Sequence, residues 1–227
     1  MQPYFLPYIG YWQLLALVDR FVVYDNVQYT KKGWINRNRF LRNGTDAYFT
    51  LPLKHGSDFL DVVDRYIADD FAPRALLDQL AGAYRRAPFF AETLPVIEQV
   101  VGAAPRNLFE YLHHSIAAIA AHLEIRTPLV VSSTVPIDHG LKAEQRVLAL
   151  CGALGATRYV NSVGGRDLYS TDAFAARGIE LRFLQSRTAP YRQFNDTFVA
   201  NLSIVDVLMF NPLDVVRTQV KTGYDLI

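Results

Sequence analysis

Between Leu129 and Leu184 short apolar runs alternate with helix-spaced segments, and this alternation limits the folds open to the chain more than any other feature. Leu129 to Val131, Arg158 to Val160 and Glu180 to Leu184 read as strands, with Leu141 to Leu154 and Thr171 to Ala176 as the helices between them. Strands separated by helices pair in parallel through right-handed crossovers. Gly155 and Gly178 stand where those helices must stop, the usual place of a glycine C-cap. The amino-terminal part follows the same plan. Ile9, Trp12, Leu15 and Leu17 recur at helical spacing after Pro7, the apolar run Phe21 to Tyr24 follows, and a further strand is expected just before Gln2. The expected fold class is α/β, with a largely parallel sheet and flanking helices.

Two insertions interrupt this plan. Asn38 to Leu41 and Ala47 to Leu51 flank Asn43-Gly44, a dipeptide suited to the positive φ angles of a tight turn, which predicts a β-hairpin near the N-terminus. Asp58 to Val63 reads as a short strand or an irregular edge. Residues 72–124 are helical in pattern: Pro73 to Arg86, Phe89 to Val101 and Asn107 to Leu123 form an insertion. Asn107 with Glu110 resembles a capping box that starts the third of these helices. Adjacent His113 and His114 point about 100° apart and cannot share one face. Ser203 with Asp206 caps a final helical pair broken at Asn211-Pro212. With no repeat or linker in view, residues 1–227 are expected to form a single domain carrying a helical insertion at about 72–124.

Composition narrows the function. An apolar fraction of 51% supplies a core, and 23 Lys plus Arg against 22 Asp plus Glu leave a charge of +1, too small to steer the chain toward polyanions. General nucleic-acid binding is disfavoured. Cys151 stands alone in an apolar helical pattern, so it reads as a reduced core thiol. No run reaches the roughly 20 apolar residues of a membrane span, and no signal peptide precedes the first motif, so a cytoplasmic protein is expected.

Three expected strands run straight into polar or glycine-rich sequence. The first leads into Asp25, Asn26, Gln28, Asn36, Arg37 and Asn38. The second leads into Ser132-Ser133-Thr134 and on past Asp138 and His139 to Lys142 and Glu144. The third leads into Asn161, Gly164, Gly165 and Arg166, and ends at Tyr169. Parallel strands bring such loops to one sheet edge, where open α/β sheets bind ligands.

Within that edge Asp25 is the expected general base or ammonium-binding carboxylate, against the alternative of an ion pair with Arg37 or Arg39. Gln2, Gln28, Asn36 and Asn38 are neutral groups suited to amide or hydroxyl recognition. Among the aromatics, Tyr11 and Trp34 are the ones expected to line a pocket. Gly164 and Gly165 either make a turn or let a ligand approach exposed amides. No metal site is expected, because His55, His113, His114, His122 and His139 lack ligand spacing. Neither a Walker loop, a GxSxG elbow nor a dinucleotide fingerprint is present.

Together, Gln2-Pro3-Tyr4-Phe5-Leu6-Pro7-Tyr8-Ile9-Gly10-Tyr11, the Asp25-Asn26-Val27-Gln28 block, Asn36-Arg37-Asn38, Tyr159-Val160-Asn161 with Gly164-Gly165 and Leu168-Tyr169, and the tail Tyr191-Arg192-Gln193 with Leu202 to Asp206 resemble the WbqC-like protein family over nearly the whole chain. In that family the opening motif often follows a strand and can carry His before the Gln; here Met1 stands there. The resemblance implies a place among genes for bacterial surface polysaccharides such as O-antigen, and glycyl or aminoacyl transfer onto an amino sugar.

Such a transfer assigns Asp25, Gln28 and Asn36 to catalysis, with the Gly164-Gly165 amides as further oxyanion donors. Gln2, Tyr11, Trp34, Arg37, Ser132, Lys142, Asn161 and Tyr169 then bind substrate, and the resemblance adds Tyr191 and Gln193. No cofactor is needed beyond an acyl thioester or nucleotide-sugar co-substrate. An acyl carrier protein is the partner such a donor suggests. Two alternatives stand beside the transferase. One is an ATP-dependent ligase or nucleotidyltransferase similar to the HIGH-motif class, although Pro7-Tyr8-Ile9-Gly10-Tyr11 lacks its paired histidines. The other is a non-catalytic carbohydrate-binding or assembly protein.

Overall fold

Helical spacing in the opening segment places α1 at Ile9–Leu17, where Trp12 and Leu15 are fully buried and the Trp12 indole donates to the Pro7 carbonyl at 3.1 Å. The computed structural model describes residues 1–103, 105–195 and 197–227. Strand β1, Phe21–Val23, follows α1. Arg37–Arg42 (β2) and Thr45–Thr50 (β3) then form the expected antiparallel hairpin. Its turn is Asn43-Gly44, with φ of 52° and 80°, the doubly positive geometry that matches the twist of the paired strands. Residues 58–63 make one isolated bridge, Asp61 with Gln28, and lead into a short 3-10 turn, Val62–Asp64, instead of a strand.

Three helices come next: α2 (Pro73–Tyr84), α3 (Phe90–Val101) and α4 (Leu108–His122). Pro73 opens α2 at a position where its missing N–H costs nothing. The Asn107 side chain accepts from the Glu110 N–H at 3.1 Å and caps α4. His113 and His114 both end half-buried, with His113 resting on the Phe109 ring. The alternating segment then gives β4 (Leu129–Val131), α5 (Ala143–Ala153), β5 (Arg158–Ser162), α6 (Thr171–Ala175) and β6 (Glu180–Ser186). Gly155 and Gly178 take φ of 65° and 71° after α5 and α6, as a left-handed helix stop requires. The chain closes with α7 (Ile204–Phe210), α8 (Leu213–Thr222) and β7 (Tyr224–Leu226).

The fold is mixed α/β with small sheets, and the expected largely parallel sheet does not form as one piece. β1 pairs with β4 in parallel, β5 pairs with β6 in parallel, and β7 adds to β6 antiparallel. Among the described residues no ladder hydrogen bond joins the two parallel pieces. Between β1 and β5 lies a slot of about 690 Å3, bordered by Leu17, Tyr24, Leu150, Cys151 and Tyr159. Met1 enters it alongside β1: its amino group donates to the Val22 carbonyl at 2.7 Å and its own carbonyl accepts from the Tyr24 N–H at 2.9 Å. The sequence pattern identifies each strand but carries no information about whether neighbouring edges close on one another.

The main core joins α1, the hairpin, α2 to α4 and α7 through residues such as Phe5, Phe40, Ile97, Leu112 and Val205. Burial of each such side chain contributes roughly 1.5–3 kcal/mol. A smaller cluster of Val147, Leu148, Cys151, Phe174 and Ile179 seats α5 and α6 against β6.

Candidate functional site

Parallel pairing of β1 with β4 in the register Val23↔Val131 sends the residues after each strand out at the same level. Asp25 therefore meets Ser132 and Ser133. The Ser132 hydroxyl donates to Asp25 Oδ1 at 2.8 Å and the Ser133 N–H donates to the same oxygen at 3.0 Å. Asp25 is only 4% exposed. Burial works against its charge, but the hydrogen bonds from Ser133 and Ser132 outweigh burial and hold the carboxyl below the ordinary aspartate value. Both of these bonds fall on Oδ1, and the Ser133 side chain adds to them in favouring the charge.

The next residue, Asn26, links this carboxylate to α5. Its Oδ1 faces Ser132 Oγ at 2.5 Å, its Nδ2 lies 3.1 Å from His139 Nδ1, and its main-chain carbonyl accepts from Arg146 Nη1 at 2.9 Å. Arg146 Nη2 also reaches Asn26 Oδ1. His139 Nε2 is 3.1 Å from the Val135 carbonyl. The Arg146 guanidinium lies over the Tyr24 ring at 5.1 Å. Burial, reinforced by neighbouring Tyr169, pushes the Tyr24 phenol up to about 12.

The third loop approaches at Tyr24, which borders the slot together with Asn161. Asn161 Oδ1 accepts from the Ser162 N–H at 2.8 Å. A Cβ on Gly165 would stand 3.0 Å from Asn161 Nδ2, whereas one on Gly164 would meet nothing within 4 Å. Tyr169 packs edge-on against Tyr159, with their hydroxyls 3.4 Å apart. Asp25 and Ser132 thus meet at the carboxyl ends of β1 and β4, while Asn161, Gly165 and Tyr169 follow β5, across the slot that Tyr24 and Asn161 border. Lys142 is exposed at the start of α5.

The remaining expected positions lie elsewhere. Asn36 is buried with both ends of its amide engaged, accepting from the Tyr29 hydroxyl and donating to the Leu51 carbonyl, each at 2.8 Å. Gln28 is exposed and donates to the Asp58 carbonyl at 2.8 Å. Gln2 Oε1 accepts from the Tyr4 hydroxyl, and the fully enclosed Tyr11 donates to the Gln2 carbonyl at 3.3 Å. Trp34 stacks on Tyr48, while Arg39 lies over Trp34 and Arg37 over Tyr48. Arg37 donates to the Gly33 and Lys32 carbonyls, and Arg39 pairs with Asp46 at 3.3 Å; neither joins Asp25. Tyr191 and Gln193 both donate to Asp206 Oδ1, at 2.6 and 2.8 Å, deep in the core.

Arg146 is the residue that sequence reasoning passed over. The signal was there: it shares a helix face with Leu150, four positions on, so an arginine stands on a buried stripe. Asn26 and His139 were visible as polar residues but gave no sign that they meet across 113 positions.

Residues 2–218 match the WbqC-like protein family. The chain belongs to that family. It is also similar to Rv1507c, an uncharacterized protein of Mycobacterium tuberculosis (strain ATCC 25618 / H37Rv), with 28% identity over 215 residues that cover 93% of this chain and 91% of the other. No solved structure matches the chain. Among the described residues no three His, Cys, Asp or Glu side chains are grouped to hold a metal, and no helix is long and apolar enough to cross a membrane.

Proposed function

We propose that this WbqC-like chain transfers an acyl or aminoacyl group, glycyl in type, onto an amino sugar or nucleotide-linked amino sugar. The observation that carries the reading is the state of Asp25: nearly enclosed and held in its charged form by Ser132 and Ser133 at the ends of β1 and β4. A carboxylate that stays ionised is well suited to receive an ammonium group and orient it. Ser132 spends its proton within the crest and keeps an oxygen able to accept, which favours a ligand that donates hydrogen bonds. An amine does so.

In the transfer the acceptor ammonium first gives one proton to solvent, and the free amine nitrogen attacks the thioester carbonyl carbon. A C–N bond forms, the C–S bond breaks, and the second proton that the nitrogen gives up leaves with the sulfur as the thiol. Asp25 would hold the amine against the carbonyl, and the amides of Gly164 and Gly165 would face the developing oxyanion. Purified protein incubated with glycyl and acetyl thioesters and a panel of sugar-nucleotide amines should yield an amide detectable by mass spectrometry. Absence of any amide across the panel with a folded protein, or ATP-dependent pyrophosphate exchange in its place, would overturn the reading in favour of the ligase alternative or a binding role.

A further inference from the structure

The guanidinium of Arg146 is nine-tenths buried, faces no carboxylate in an ion pair among the described residues, and spends both terminal nitrogens on one residue, Asn26. Few arrangements define an amide so fully. Both Arg146 nitrogens donate, so the Asn26 atom that faces Nη2 must be the oxygen, and Nδ2 must be the atom that faces His139. His139 Nδ1 is then obliged to accept. Its proton belongs on Nε2, where the Val135 carbonyl waits at 3.1 Å. A protonated imidazole would set Nδ1–H against Nδ2–H.

We infer that Arg146 is a positioning residue for the transfer site: by locking the Asn26 amide it obliges His139 Nδ1 to accept, fixes the imidazole in the Nε2–H form and holds the crest on which Asp25 is presented to the acceptor amine. This rests on the proposed transferase reading and adds to it the device that fixes the orientation of the amide and imidazole beside the ammonium site. Lysine cannot replace the fork, because one ammonium cannot serve both oxygens of Asn26 in the same plane. The Arg146 guanidinium also lies over the Tyr24 ring, so the residue ties the crest to the residue that borders the slot with Asn161.

The test reads the imidazole directly. Nitrogen-15 NMR of His139 in the wild type should show the Nε2–H tautomer as the dominant form, and Arg146→Met, which keeps the stem and removes the fork, should give a mixture of tautomers. Transfer by Arg146→Met should fall about 10-fold or more in kcat/KM, mostly through a higher KM for the amine. A residue that merely supported α5 would lower the melting temperature and leave the tautomer alone. Should Arg146→Met fail to fold, Asn26→Asp keeps both acceptors for Arg146 and replaces the donor toward His139, and it should draw a proton onto Nδ1. A wild-type tautomer in the folded variant would overturn the inference. If the tautomer shifts as expected while no substrate panel gives an amide, the positioning role stands and the transferase reading falls.

Discussion

Ser132 Oγ donates to Asp25 Oδ1 at 2.8 Å although 107 positions separate the two residues, because β1 and β4 lie side by side in parallel and both end at this level. A buried acid at such a strand end has its state set by what the neighbouring strand offers. Here the offer is a hydroxyl and a main-chain N–H, and the carboxyl is held ionised.

Two buried aspartates should respond to pH with opposite sign. Asp25 sits below its ordinary value of 3.8, so its contribution to stability is present above that value and is lost as pH falls through the folded one. Asp206 sits above 3.8, since burial outweighs the bonds from Tyr191, Gln193 and Tyr84; its contribution is present below that value and is lost as pH rises through the folded one. Urea unfolding across the acid range should therefore show the stability difference from Asp25→Asn shrinking on acidification. The difference from Asp206→Asn should shift toward favouring the wild type. Parallel curves for the two variants would contradict this.

Asn36 and Tyr191 are expected to matter for folding. Asn36→Ala strands the Tyr29 hydroxyl and the Leu51 carbonyl and should cost roughly 1–3 kcal/mol in urea unfolding. Tyr191→Phe removes a 2.6 Å bond to Asp206 and should cost about 1.5–3 kcal/mol. Folded Tyr191→Phe should keep its transfer rate within about twofold, since the hydroxyl it loses is spent on Asp206; a loss near 100-fold would show that the tail reaches the substrate.

Cys151 should be unreactive. Burial pushes its thiol up to about 11 from 9.0, which reduces the thiolate fraction by roughly 100-fold near neutrality. Iodoacetamide labelling of the folded protein should be far slower than labelling in urea, and equal rates would contradict the burial.

The two adjacent glycines should behave differently. A Cβ at 165 crowds the Asn161 amide at 3.0 Å, so Gly165→Ala should disturb the third loop and lower transfer, while Gly164→Ala meets open space and should be neutral or stabilising by about 0.4–1 kcal/mol. Melting temperatures and rates for the pair would check this.

Much of the architecture was legible because local chemistry dictates it. Asn43-Gly44 can scarcely serve anything but a tight turn, and the apolar runs at 21–23, 129–131 and 158–160 fall in the strands. The break between β1 and β5 was not legible, since edge closure depends on packing of α1 and α5 and not on strand composition. β7 escaped notice because three residues after α8 carry no period. At the site, Asp25 and Ser132 stood out by their position after strands. Arg146 did not, because an arginine in a helix ordinarily reads as a solvated residue, and its spacing to Leu150 on the buried stripe gains meaning only with the bonds to Asn26. Asn36 carried the composition of a catalytic amide; that its two ends are consumed by Tyr29 and Leu51 is a matter of tertiary contact.

The most direct test of the account is the amide-forming kcat/KM of Asp25→Asn relative to wild type, measured with the best thioester and sugar-amine pair and with folding checked by circular dichroism. Loss of the charge that orients the amine should lower kcat/KM by about 100-fold or more while the fold is retained. A folded Asp25→Asn protein that forms the amide at the wild-type rate would contradict the central claim.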